Sequence, residues 1–186
     1  MTTLPAGYRE VRKIDLMRNK REALIVNVLA LGISVAMIVL GFVVGPSFME
    51  FTFSLTSVLL FGVLIVGIVF YMILHELVHG AFMQAFSGER AKYGFTGLYA
   101  YAGSTALFGR RQYLVIAFAP VVLLGFALAV LNIAFYETAF WVVYLVQVIN
   151  ISGAAGDIYV GFVISRANNS VLIRDTGTDM TLFSAR

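Results

Sequence analysis

The chain has 186 residues, of which 60% are hydrophobic and 12% charged, and its mean hydropathy is +0.91. This composition excludes an ordinary soluble globular domain and is typical of an integral membrane protein. The absence of cysteine excludes disulfides and thiolate metal sites. The formal net charge is +3, but the basic residues flank apolar segments and no aromatic-basic recognition motif accompanies them, so we expect no nucleic-acid partner.

Four apolar segments are long enough to cross a lipid bilayer, since a spanning helix needs ~20 residues. They occupy residues 24–44, 54–86, 112–135 and 138–165. The basic lead before the first segment does not resemble a signal peptide, so we expect that segment to remain in the mature protein. We therefore predict an all-α membrane protein with four transmembrane helices, in which residues 1–186 form a single domain.

The lysines and arginines are unevenly distributed among the segments that connect these spans. Six lie in residues 1–21, four in the 87–111 loop and three in the tail from Arg166, whereas the two short links that hold Glu50 and Glu137 have none. Basic connecting segments face the cytoplasm in most membrane proteins. The distribution thus predicts a multi-pass protein with both termini cytoplasmic.

Two of the polar segments have features of short strands. The 87–111 loop is rich in glycine and aromatic residues and is compatible with a short β-like hairpin. In the tail, the stretches VLIR and MTLF flank the turn-forming sequence DTGTD, a pattern typical of a small hairpin.

The sequence HELVH, residues 75–79, contains both histidines of the chain and ends the apolar run of the second span. On a helix, His75 and His79 lie one turn apart on one face, the spacing with which two imidazoles hold one zinc ion. Glu76 then lies beside the water that the metal activates. Ionisable side chains are costly within a bilayer and indicate function, so the motif predicts an intramembrane site for one Zn²⁺ ion per chain.

A hydrolytic zinc site usually has three protein ligands and an open position. Of the ten acidic residues, only Glu76 and Asp157 lie within the spans. His79 and Asp157 each lie ~10–12 Å from the predicted cytoplasmic ends of their helices, so they are level. We predict Asp157 as the third ligand, with Glu89 as the alternative; Asp157 could instead pair with an arginine or cap a broken helix. The site is expected nearer the cytoplasmic face.

The polar residues of the site predict a hydrolytic mechanism. Glu76 takes a proton from the attacking water and returns it to the leaving amine. Asn150 is a candidate hydrogen-bond donor to the oxyanion or to the substrate backbone. The alternative is that Asn150, like Gln147, makes an interhelical hydrogen bond.

HELVHG within a membrane helix, with Asp157 on a later span, resembles the site-2 protease class of intramembrane zinc metalloproteases. The segments GYREVRKIDL, GLYAYAG, RRQYLVIAFAP and NISGAAGDIY more closely resemble a family of small membrane proteins described as zincin peptidases. The resemblance implies His75 and His79 as ligands, Glu76 as the base and Asp157 as the third ligand. The chain departs from the site-2 pattern because ISGAAG, without proline, separates Asn150 from Asp157.

The segment KYGFTGLYAYAG precedes the third span. The resemblance to site-2 proteases implies a strand near the active-site helix that receives substrate as an added strand, and the alternation of Tyr99 and Tyr101 suits such an edge. The alternative is an aromatic belt at the membrane interface.

We therefore expect an intramembrane zinc metallopeptidase that acts on membrane-embedded or membrane-proximal segments of a protein or peptide substrate. The alternative is a zinc-binding pseudoprotease that binds a partner without hydrolysis. Both functions need bound zinc, but only the peptidase needs Glu76.

Overall fold

Long apolar helices form the body of the protein in the computed structural model, which describes residues 3–47, 54–97 and 99–185. The helices are α1 (Lys20–Val44), α2 (Leu55–Ser87), α3 (Arg110–Ala134), α4 (Tyr136–Gly153) and α5 (Ala155–Ser165). The first three, and α4 with α5 taken together, are long and apolar enough to cross a membrane, which makes four candidate spans among the described residues. These dimensions are compatible with a multi-pass membrane protein. The predicted link that holds Glu50 lies outside the described residues.

Polar residues define the ends of α1 and α2. The side chain of Asn19 accepts hydrogen bonds from the backbone N–H groups of Arg21 and Glu22, and Ser54 caps α2 in the same way. Such side chains satisfy N–H groups that have no partner within the helix. Gly88 follows α2 with φ of 74°, a left-handed conformation that glycine adopts without steric cost.

The predicted fourth span is not one continuous helix. Helix α4 ends at Gly153 and α5 begins at Ala155, so the predicted span over residues 138–165 consists of two helices. Two glycines within the segment SGAAG lower its helix propensity. In addition, the Ser152 hydroxyl donates to the Val148 carbonyl at 2.7 Å, a contact that often bends helices. The break places Asp157 in the first turn of α5.

Helix α3 lies at the centre of the bundle and packs against α2, α4 and α5, while α1 packs against α4 and α5. One buried apolar cluster joins the helices to the strands and includes Met83, Tyr113, Ile116, Ile164 and Ile173. A second cluster, of Phe140, Tyr144 and Val148, lies along α4 against Met37 of α1. The two clusters thus pack the described helices against one another in two separate regions of the bundle.

Among the described residues, six short strands form two antiparallel sheets, so the all-α prediction is corrected to a mostly helical protein with small sheets. The strands are β1 (Tyr8–Ile14), β2 (Lys92–Phe95), β3 (Ala100–Gly103), β4 (Phe108–Gly109), β5 (Leu172–Asp175) and β6 (Met180–Ala185). Hairpins β2–β3 and β5–β6 lie in the two segments whose sequences suggested them. Strand β1 was not predicted, because its charged sequence is mostly exposed and only Ile14 is buried.

The four-stranded sheet has the order β1-β6-β5-β4 and joins three distant parts of the chain. Tyr8 pairs with Ala185, and Phe108 pairs with Ile173. The N-terminal lead, the segment before α3 and the tail therefore lie at one end of the helix bundle. If the bundle spans a membrane, all three lie on the same side of it.

Candidate metal centre

Two histidines of α2 and one aspartate of α5 converge inside the bundle. The Nε2 atoms of His75 and His79 lie 3.2 Å apart. The Asp157 carboxylate lies 3.3 Å from Nε2 of His75 and 3.4 Å from Nε2 of His79. Among the described residues, this is a group of ligand atoms that could hold a metal ion, and all of them lie within 4.8 Å of one another.

Both imidazole rings have a hydrogen-bond partner on the side that faces away from Asp157. His79 Nδ1 lies 2.9 Å from the backbone oxygen of Ile116, which can only accept, so Nδ1 carries the proton. His75 Nδ1 lies 2.9 Å from the hydroxyl of Tyr71. Such partners orient metal-binding histidines, and the Nε2 lone pair of His79 faces the convergence point.

The two helices bring these residues to the same depth. His79 lies eight residues before the end of α2 at Ser87, and Asp157 lies eight residues before the end of α5 at Ser165, or ~12 Å in each case. Both histidines are only 8% exposed. Three electron-rich atoms this close and this buried repel one another unless a proton or a cation lies between them. Nitrogen and carboxylate ligands in this number suit zinc.

Glu76 directly follows His75 on α2 and is half-buried. Its carboxylate interacts with the backbone of Ala102 in strand β3. Glu76, the two histidines and Asp157 line one partly open cavity of about 430 Å³. A carboxylate at the wall of such a cavity is placed to exchange protons with a water or substrate inside it.

Residues 68–172, more than half of the chain, match the model of a protein family described as "Putative zincin peptidase". The chain belongs to this family. The match includes HELVH and Asp157 and supports a zinc peptidase. No curated protein and no solved structure matches the chain.

The tyrosines predicted for substrate binding line the same cavity as the candidate metal ligands. Tyr99 and Tyr101 both contribute to its wall, together with Ala100. The Tyr101 ring lies against Gly177 of the tail, where a Cβ atom would overlap with Tyr101 Cδ2. Gly177 also has φ of +87°, so a side chain there is excluded on two grounds.

The structure does not bring the side chain of Asn150 to the candidate ligands His75, His79 and Asp157. Asn150 is fully buried, and its amide nitrogen donates to the Val121 carbonyl and to Gln147 Oε1, each at 3.3 Å. It is absent from the residues that line the cavity. Glu89, the alternative ligand, is not in the group of ligand atoms found among the described residues.

Two residues of the cavity wall were missed at the sequence level. The hydroxyl of Tyr113, at the start of α3, donates to the carboxylate of Asp175 in the tail. Burial raises the pKa of Asp175 above its ordinary value, and its Oδ1 atom accepts the Gly177 N–H at 2.8 Å. The sequence D-T-G signals this turn, but no local signal connects it to the histidines of α2.

Proposed function

We propose that this protein is an intramembrane zinc metallopeptidase that hydrolyses peptide bonds in membrane-embedded or membrane-proximal segments of other proteins. The single observation that carries the proposal is the convergence of His75, His79 and Asp157 beside Glu76, within helices of spanning length. The family match supports a zinc peptidase. The position of the cluster within a spanning helix supports a site-2 protease-like mode of action.

In this proposal, His75, His79 and Asp157 hold one zinc ion. When bound, zinc supplies Lewis acidity, which polarises a scissile carbonyl and lowers the pKa of water. Glu76 takes the proton of the attacking water and returns it to the leaving amine. The interaction with the backbone of Ala102 orients the Glu76 carboxylate toward the cavity.

We also propose that strand β3 binds the substrate in an extended conformation. Strand β2 covers one edge of β3, and the contact between Ala102 and Glu76 supports a second edge that faces the metal cluster. A peptide added along that edge gains backbone hydrogen bonds, and the alternating tyrosines 99 and 101 select its side chains. The packing of Tyr101 between the hairpin and the tail argues against a lipid-facing aromatic belt.

The distribution of basic residues supports an orientation in the membrane. The three basic segments meet at the end of the bundle that carries the sheets, and such segments face the cytoplasm in most membrane proteins. His79 is much nearer to this end of α2 than to Leu55. We therefore propose a single-domain protein with cytoplasmic termini and an active site that opens toward the cytoplasm.

The test compares purified wild-type protein with the Glu76→Gln and Glu137→Gln variants, each incubated with membranes of the expression host. New protein termini are then identified by mass spectrometry. Wild type and Glu137→Gln, whose altered carboxylate is exposed at the start of α4, should produce the same new termini, and Glu76→Gln should produce none. Equal cleavage by wild type and Glu76→Gln would contradict the peptidase. Zinc binding without any Glu76-dependent cleavage would favour a partner-binding pseudoprotease.

A further inference from the structure

Tyr71 lies one helical turn before His75 on α2 and is 6% exposed. Its hydroxyl contacts two groups. It lies 2.9 Å from His75 Nδ1 and 3.5 Å from the backbone oxygen of Asn150 on α4. A tyrosine hydroxyl has one proton to donate and can accept at the same time, so it can join these two groups in one chain of hydrogen bonds.

The break between α4 and α5 takes from the Asn150 carbonyl its usual helical hydrogen-bond donor. In a continuous helix, the backbone N–H of Ala154 would bond to the Asn150 carbonyl, four residues before it. Here that N–H bonds to the carbonyl of Ser152 instead. A buried carbonyl without a partner is costly, above all inside a bilayer, and the Tyr71 hydroxyl donates to it.

The direction of this hydrogen bond determines the state of His75. Because the Tyr71 proton points to the carbonyl of Asn150, the Tyr71 oxygen accepts a hydrogen bond from His75 Nδ1. The ring then carries its proton on Nδ1 and presents the lone pair of Nε2 to the metal cluster. The opposite tautomer would point an N–H group at the position of the metal.

The same hydroxyl joins the two parts of the chain that supply the ligands. His75 belongs to α2, whereas Asp157 follows the end of α4 by one turn of α5. Helices α2 and α5 make few direct contacts. A hydrogen bond from α2 to the last turn of α4 therefore restrains the distance between the ligands before any metal binds.

We infer that Tyr71 is a positioning residue of the metal centre, which holds the His75 ring in its metal-binding tautomer and fastens α2 to the helix end that precedes Asp157. This inference rests on the zinc site of the proposed function but not on peptide hydrolysis. Asn150 acts through its backbone carbonyl in this arrangement, whereas its amide group faces α3.

The test is zinc affinity of the full-length protein, measured by competition with a chromophoric chelator. Tyr71→Phe removes only the hydroxyl and should weaken zinc binding about 10- to 100-fold, the usual cost of losing an outer hydrogen-bond partner. Tyr144→Phe is the matched control, since Tyr144 also donates to a helix carbonyl, that of Met37 at 2.6 Å, but belongs to the apolar cluster of Phe140 and Val148. Its affinity should equal that of wild type.

A measurement on the wild type keeps the inference testable if Tyr71→Phe does not fold. The chain has only two histidines, so ¹⁵N-histidine labelling yields two ring systems, and in the zinc-loaded protein both should carry their proton on Nδ1. A ring protonated on Nε2, or wild-type zinc affinity in a folded Tyr71→Phe variant, would overturn the inference. Glu76-independent cleavage would instead overturn the proposed reaction, and a reduced zinc affinity of Tyr71→Phe would still support the positioning role.

Discussion

The carboxylate of Asp157 lies 3.3 Å from Nε2 of His75, although 82 residues separate them in the chain. Their helices otherwise make few contacts with each other, and both pack against α3. A metal ion at this point would therefore link two helices that otherwise touch each other little.

Replacing Asp157 should strip the metal. We expect Asp157→Ala to weaken zinc binding on the order of 100-fold or more, because it removes a ligand rather than one of the outer partners whose loss costs 10- to 100-fold. Elemental analysis of the purified protein measures the zinc content. Asp179→Ala is the control, since Asp179 lines the same cavity but forms an ion pair with Lys13 at 3.2 Å. Full zinc retention by Asp157→Ala would reject it as a ligand.

Removing zinc should lower thermal stability. A ligand that binds only the folded state stabilises it by about 2.7 kcal/mol when present at 100 times its dissociation constant. Thermal unfolding in detergent, with zinc and with a chelator, measures this difference. His79→Ala should melt at the same temperature in both conditions. A wild-type protein that behaves like His79→Ala would argue against a zinc site at these residues.

The hairpin β2–β3 lies against α2 at Gly80, which follows the candidate ligand His79. A Cβ atom on Gly80 would overlap with the Tyr93 hydroxyl oxygen and approach Tyr93 Cζ to 2.5 Å. We expect Gly80→Ala to destabilise the protein by about 1–3 kcal/mol through overpacking. Adding Tyr93→Ala should recover part of the loss in a double-mutant cycle of unfolding free energies.

Gly62→Ala is the control for that cycle, because Gly62 also lies in α2 but a Cβ atom there would have no neighbour within 4 Å among the described residues. It should be neutral or slightly stabilising, since alanine has the higher helix propensity. Equal effects of the two substitutions would show that the hairpin does not rest on Gly80.

Arg12 of β1 connects the sheet to two helices. Its Nη2 atom donates to Glu22 of α1 at 2.8 Å and to the Tyr159 hydroxyl of α5 at 3.0 Å. The hydrogen bond to Glu22 raises the pKa of Arg12 above its ordinary value. Glu22 is only 8% exposed, so Arg12→Ala should cost about 1–3 kcal/mol of unfolding free energy through a poorly satisfied carboxylate.

Lys13→Ala breaks a more exposed ion pair of the same strand, with Asp179. Exposed pairs contribute about 0–1 kcal/mol, so its cost should be smaller than that of Arg12→Ala. Chemical unfolding of both variants in the same detergent makes the comparison. A larger loss for Lys13→Ala would contradict the role assigned to the Arg12 contact.

The orientation can be tested by cysteine labelling, because the chain has no native cysteine. Glu10→Cys and Ala185→Cys lie in β1 and β6 of one sheet, whereas Glu137→Cys lies at the opposite end of the bundle. On intact cells, a membrane-impermeant maleimide should label only the Glu137→Cys variant. The Glu10→Cys and Ala185→Cys variants should be labelled only after the cells are permeabilised. Labelling of the two sheet positions from different sides would contradict the sheet, and the reverse pattern would contradict cytoplasmic termini.

The sequence by itself determined the features that depend on local spacing. Apolar runs of ~20 residues predicted the four spans because a bilayer requires that length. The four-residue spacing of His75 and His79 placed them on one face of a helix. Counting residues from the helix ends brought Asp157 to the same depth, and the structure brings these three residues together.

Only the tertiary structure decided the features that depend on contacts between distant segments. The pairing of β1 with the tail has no local signal, since the strand is charged and mostly exposed. The direction of the Asn150 side chain depends on which neighbouring helix offers an acceptor. Likewise, Tyr71 acquires its contact with Asn150 because α4 ends where it does. Spacing along the chain determines which residues share a helix face, but the packing of that face against other elements determines what they touch.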